Sequence, residues 1–181
     1  MGEALCSIMD GRRFVIGNLV SFETEYFYPA GFLGAGWTNW KGPIDGDGLS
    51  GEEDVDPRSV NIQMDEVSSF FSENFLREGE RFITGEEKIR RWKEEKPDRV
   101  RLGGDVFHTL WTDYNVNQKN SFFEWLFQNF KIDFVDFLGQ PLRNPQGKRE
   151  GLYVCRQEVG GEGKWFLFHG WLDSEWRISA S

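Results

Sequence analysis

The stretch Ser121–Leu138, SFFEWLFQNFKIDFVDFL, is the densest run of large apolar residues in the chain. Any fold of this chain has to bury it. Ser121 and Glu124 fit a capping box. The serine hydroxyl accepts from the Glu124 N–H, and the Glu124 carboxylate reaches back to the Ser121 N–H. A helix starting there carries Phe123, Phe127 and Phe130 on one face, widened by Phe122, Trp125 and Leu126. Only Glu124, Gln128 and Asn129 are left for water, so this helix is expected to be central. From Ile132 the period changes. Ile132, Phe134 and Asp136 alternate with Asp133, Val135 and Phe137, which predicts a strand, although the Phe134–Phe137 spacing leaves a helix open. The same aromatics could line a ligand cavity; packed core is the stronger expectation.

The chain has 181 residues, enough for one α+β domain over residues 1–181 with a real core. Its net charge is −9. An acidic surface disfavours nucleic acid and anionic membrane and suits a basic partner. The 17 Phe, 8 Trp and 4 Tyr favour an extended core or an adhesive interface. Cys6 and Cys155 lie far apart and make neither a metal pattern nor a disulfide framework. No apolar run reaches membrane-spanning length, and charged residues interrupt the N-terminus, so a cytoplasmic protein is expected.

Taken in order, Ala4–Met9, Asp10-Gly11 and Arg12–Phe22 predict a hairpin. Residues 30–59 form a Gly/Trp-rich and then acidic stretch, expected to be a long loop with little regular structure. Its Asp45–Asp56 half invites a calcium reading. Position 5 is Leu49 and position 6 is Ser50, where an EF-hand needs an oxygen ligand and Gly, so no metal site is expected. Asp65–Leu76 carries the stripe Val67, Phe70, Phe71 and Phe75 and predicts a helix. Thr84–Lys96 predicts another, boxed by Thr84 and Glu87 and ended by Pro97. The pairs Glu86/Arg90 and Glu87/Arg91 put that face in water, leaving Ile89 and Trp92 to point inward. The cations from Lys88 to Arg101 are interleaved with acids, the pattern of a salt-bridged face rather than a nucleic-acid patch. Arg99–Leu102, Gly103-Gly104 and Asp105–Trp111 predict a second hairpin.

The last third is the best organised. Asn144-Pro145-Gln146-Gly147 suits a type I turn. Strands are expected over Leu152–Val159, Lys164–Leu172 and Glu175–Ser179. With the strand before the turn they make a four-strand antiparallel meander. The expected architecture is therefore α+β: this C-terminal meander and the N-terminal hairpin, packed by about three helices. Pairing Val159 with Lys164 sets Val154 against His169 and Cys155 against Phe168. One face then carries Leu152, Val154, Trp165, Leu167, His169, Trp171, Trp176 and Ile178. The other carries Tyr153, Cys155, Gln157, Phe166, Phe168 and Gly170. The faces separate Cys155 from His169, which argues against a nucleophilic Cys–His dyad.

No G-x-S-x-G, P-loop, G-x-G-x-x-G or H-E-x-x-H is present, so no cofactor is implied. Two functions fit what remains. The first is a non-enzymatic binding or regulatory module that meets a protein partner through Phe32, Trp37 and Trp40. The second is a small-molecule-binding protein or enzyme. Helices followed by a curved meander, closing on Glu175-Trp-Arg-Ile-Ser, resemble NTF2-like domains in layout over Asp65–Ser179. That resemblance implies a conical apolar pocket, in which His169, His108, Asp136 and Tyr153 would be the polar candidates. A pocket enzyme needs His169 within reach of solvent beside a carboxylate.

Overall fold

The structure is a computed structural model that describes residues 12–15, 26–40, 55–60, 69–72 and 75–177. In chain order the elements are β1 (Arg12–Val15), α1 (Pro29–Leu33), β2 (Thr38–Asn39), β3 (Ser69–Ser72), β4 (Phe82–Thr84) and α2 (Gly85–Glu95). Then come α3 (Gly104–Asn117), α4 (Phe122–Phe130), β5 (Phe134–Arg143), β6 (Arg149–Val159), β7 (Glu162–Trp171) and β8 (Glu175–Arg177). The fold is α+β, and every strand pair is antiparallel. A four-stranded sheet runs β2-β5-β6-β7; β1 pairs with β3, and β4 with β8.

The central stretch folds as the expected helix and then strand, but Glu124 is buried against Arg156 and Trp165 instead of closing the capping box or facing water. The Ser121 hydroxyl accepts from the Glu124 N–H at 3.4 Å, and Lys131 ends α4 in the left-handed region at φ 58°. β5 follows at once. The helix α2 starts at Thr84, whose hydroxyl accepts from the Glu87 N–H at 3.1 Å. It stops short of Pro97.

Several expectations change. The hairpin over Arg99–Trp111 is instead the helix α3, with Gly103 as its N-cap. Its apolar residues lie on all sides, which mimics alternation; Val106, Phe107, Leu110 and Tyr114 are all buried. Gly104 is needed for close approach rather than for a turn, since a Cβ there would sit 2.4 Å from Phe27 Cδ1. Within the expected helix Asp65–Leu76, Ser69–Ser72 is the strand β3 paired with β1. Pairing with a distant strand outweighs a local stripe. The expected hairpin keeps its strand at Arg12–Val15, whose described partner is β3; residues 4–9 and 16–22 lie outside the described residues. Lastly, β8 leaves the meander and pairs Trp176 with Ile83 of β4. Within 30–59, α1, β2 and a 3-10 turn at Pro57–Ser59 are regular. The acidic run 45–54 lies outside the described residues.

The β6–β7 register is two residues from the expected one: Val159 pairs with Glu162, Leu152 with His169 and Cys155 with Phe166. A slip of two leaves the faces unchanged, because side chains alternate with period two. The first face carries Phe137, Leu152, Val154 and Trp165 under α3 and α4. Phe107 of α3 meets Phe137 edge-on at 5.4 Å, and Phe123 of α4 stacks on Trp165 at 5.1 Å. Burying each such ring stabilises the fold by roughly 2 kcal/mol. The second face has a smaller core, in which Ile89 of α2 packs on Leu138, Leu172 and Trp176. Trp176 thus lies opposite its expected side, carried there by the β4 pairing.

Candidate functional site

The aromatic residues of the central stretch are core. Phe107, Phe123, Phe137, Leu152 and Val154 are 0% exposed, so the space between sheet and helices is filled. The open space lies on the other face. There Phe134, Tyr153, Cys155, Gly170 and Trp176 line a groove of about 720 Å³, walled by Arg81, Phe82 and Glu175. Three strands build its floor. Phe134 of β5, Tyr153 of β6 and Gly170 of β7 lie along it; Phe134 stacks on Tyr153 at 5.1 Å and 26°, and Phe168, outside the lining, stacks on Tyr153 at 5.5 Å and 17°. Trp176 closes one side, 5.5 Å from Tyr153. Gly170 keeps the floor low: a Cβ there would stand 3.4 Å from Tyr153 Cε1 and 3.7 Å from Trp176 Nε1.

Behind these rings sits a part-buried ion pair. Lys88 Nζ lies 2.5 Å from Asp136 Oδ2, and 5.6 and 5.7 Å from the Phe134 and Trp176 ring centres. Burial pushes the Tyr153 hydroxyl above its ordinary pKa, as does the neighbouring Cys155. Burial also raises the Cys155 thiol; a bond from Gln157 opposes that, and Asp133 reinforces it. The thiol is held in its unreactive form.

The first face holds a second constellation, at the β6–β7 edge. Glu150 is 2% exposed. It accepts from Asn144 Nδ2 at 2.5 Å and bonds His169 Nδ1 through its other oxygen. Asn144 in turn holds the expected turn: its side-chain oxygen accepts from the Gln146 and Lys148 N–H groups at 3.0 and 2.9 Å. The Trp37 ring packs edge-on against His169 at 4.7 Å. His169 itself is 46% exposed. An ionised carboxylate only accepts, so Nδ1 carries a hydrogen towards Glu150, and Nε2 faces away from it.

The polar candidates therefore do not converge. Asp136 and Tyr153 share the groove side. His169 lies on the opposite face, and its carboxylate is Glu150, not Asp136. His108 sits on α3 against Phe32 and Phe27, at 5.8 and 6.3 Å. Trp37 and Trp40 are each 8% exposed, and Phe32 packs edge-on against Phe107 at 5.4 Å. The Arg149 guanidinium lies 5.1 Å from the Trp40 ring. These rings are packed into the fold. Sequence reasoning missed Glu150 and Asn144, because β6 was expected to start at Leu152. Continuing the alternation back by two from Leu152 would have put Glu150 on the His169 face.

In the basic cluster, Arg90 pairs with Glu87 and Glu94, Arg91 with Glu80 and Glu87, and Arg99 with Asp98. Among the described residues no group of His, Cys, Asp and Glu could hold a metal ion, and no helix is long and apolar enough to cross a membrane. No protein family, no curated protein and no solved structure matches the chain.

Proposed function

We propose that the protein is a binding module whose ligand site is the aromatic groove, and that the ligand is a small, flat, largely apolar molecule. The observation that carries this is the stacked pair Phe134–Tyr153, backed by Phe168, which floors a groove of about 720 Å³ together with Gly170. That volume falls within the usual range for small-molecule sites, roughly 300–1,000 Å³. Tyr153 has Phe134 stacked on one side and Phe168 on the other, so the row presents ring edges to the groove, and a flat ligand lies over them edge-to-face with little loss of its own freedom. Arg81 and Glu175 make no ion pair among the described residues and stand at the wall, where they can orient a polar substituent. Trp37 and Trp40, being buried, fit a supporting role better than that of partner anchors.

The test uses 1-anilinonaphthalene-8-sulfonate as a flat aromatic probe. Gly170→Phe fills the groove while leaving the first-face core untouched. The wild-type chain is expected to bind the probe, and Gly170→Phe to bind it at least about tenfold more weakly at similar melting temperature. Equal binding by both would place the probe elsewhere and remove the proposal.

A further inference from the structure

We infer that Glu150 and His169 form an acid–base site on the first face, with His169 as the proton acceptor, Glu150 as its positioning residue and an aryl ester as the substrate class. This goes beyond the groove and rests on other residues, Trp171 apart, which also lines the groove.

Three observations carry the inference. Glu150 is a buried carboxylate whose side-chain bonds among the described residues go to Asn144 and His169, and the buried Asn144 fixes its position. Asn144 is 4% exposed and locked by the turn it organises. The ring of His169 is held at two places, by Glu150 at Nδ1 and by the Trp37 ring at 4.7 Å. His169 is 46% exposed, and Nε2 has no partner among the described residues. An oriented imidazole with one nitrogen bound to a carboxylate and the other open is what a general base requires. Two residues further along the same face, Trp171 is 48% exposed and carries the Lys148 ammonium 3.9 Å over its ring. An exposed aromatic ring two residues along the strand from the histidine is a surface on which an aryl group can pack.

The step balances without a cofactor. Nε2 takes a proton from a water molecule as the water oxygen bonds to the ester carbonyl carbon. The tetrahedral intermediate collapses, the bond to the aryloxide breaks, and the proton passes from Nε2 to the aryloxide. Ester and water become carboxylic acid and phenol. No side-chain nucleophile is used. Cys155 is on the other face, opposite Phe166.

The experiment follows p-nitrophenyl acetate hydrolysis by the full chain in a Cys6→Ser, Cys155→Ser background, which removes acylation of thiols. His169→Gln is expected to lower the rate at least about tenfold, and His108→Gln to leave it unchanged. Glu150→Gln is expected to lower the rate less and to move the midpoint of the pH–rate profile, which loss of a merely structural contact would not do. A His169→Gln rate equal to the parent's, or a parent rate no greater than that of free imidazole at equal concentration, overturns the proposal. Nitrogen-15 shifts of His169 in the unsubstituted chain decide the matter even where a variant fails to fold. A single tautomer with hydrogen on Nδ1 is expected, and hydrogen resting on Nε2 overturns the assignment.

Discussion

Lys88 Nζ lies 2.5 Å from Asp136 Oδ2, across 48 residues of chain and behind two aromatic rings of the groove. The Lys88 side chain is only 4% exposed. Removing Asp136 alone strands an ammonium in an apolar setting. Asp136→Ala is therefore expected to lower unfolding free energy by about 3 kcal/mol, while the double change Lys88→Met with Asp136→Leu costs much less. Denaturant unfolding of the three chains checks this. A double variant as unstable as Asp136→Ala would show that the pair's geometry, not its charge balance, holds the second face.

Glu124 does not close the capping box expected of it. Its Oε1 accepts instead from Arg156 Nε and Trp165 Nε1, both at 3.0 Å. The carboxylate joins α4 to the sheet from within. Glu124→Ala leaves the Arg156 Nε–H and an indole N–H unpaired, although Arg156 keeps Glu158 at 2.8 Å, and is expected to cost about 2 kcal/mol, against about 1 kcal/mol for Glu124→Gln, which keeps one acceptor. Trp165 emission in each variant, followed through urea unfolding, reads both the local change and the stability.

What was legible in the sequence was local. Ser121 and Thr84 mark helix starts through their own hydroxyls, and Gly147, at φ 81°, closes the turn begun by Asn144. The sheet faces survived an error in register because alternation has period two. What could not be read depends on distant partners. α3 is apolar on several sides because Phe27, Phe32 and Phe137 all pack on it, and nothing near Phe107 in the sequence says so. β8 pairs with a strand some ninety residues earlier, which moved Trp176 to the groove. The groove is a product of that crossing, and Glu150 meets His169 only through pairing of β6 with β7.

Gly139 and Gly170 should respond very differently to the same substitution. A Cβ on Gly139 would lie 2.1 Å from the Arg101 carbonyl oxygen, and its N–H donates to the Leu102 carbonyl at 2.7 Å. The obstacle is backbone, so β5 or the 101–103 segment has to shift. Gly139→Ala is expected to cost about 2 kcal/mol or more, and Gly170→Ala close to nothing. Thermal melts of the two chains compare them directly, and equal melting temperatures would contradict the close approach.

Arg91 gathers two carboxylates and a backbone carbonyl. It donates to Glu80, Glu87 and the Phe75 carbonyl. The bonds from Arg91 hold Glu80 at about 2, below its ordinary 4.5, and bonds from Arg90 and then Arg91 hold Glu87 at about 2. Carboxyls depressed on folding stabilise the fold fully above their unfolded value, and the contribution is lost as pH falls through the folded value. Arg91→Met should therefore lower the melting temperature most at about pH 6, and the gap should narrow toward about pH 2.5. Added salt should narrow it at the higher pH also, since the cluster borders solvent. A gap independent of pH would mean that Arg91 acts through packing and the Phe75 carbonyl alone.

Cys155 reports on the groove without a known ligand. Its thiol lines the cavity and is pushed up by burial. Only the thiolate attacks an alkylating agent. In a Cys6→Ser chain, Cys155 is therefore expected to react with iodoacetamide several times more slowly than free cysteine near neutral pH, and to gain speed only at higher pH. The anilinonaphthalene probe should slow it further, because a molecule lying on Tyr153 covers the neighbouring thiol. Gly170→Phe should give the same slowing with no probe present, and then no additional effect of the probe. Protection that persists in Gly170→Phe would mean that the probe reaches Cys155 from outside the groove, and the stacked rings would lose their claim to be its site.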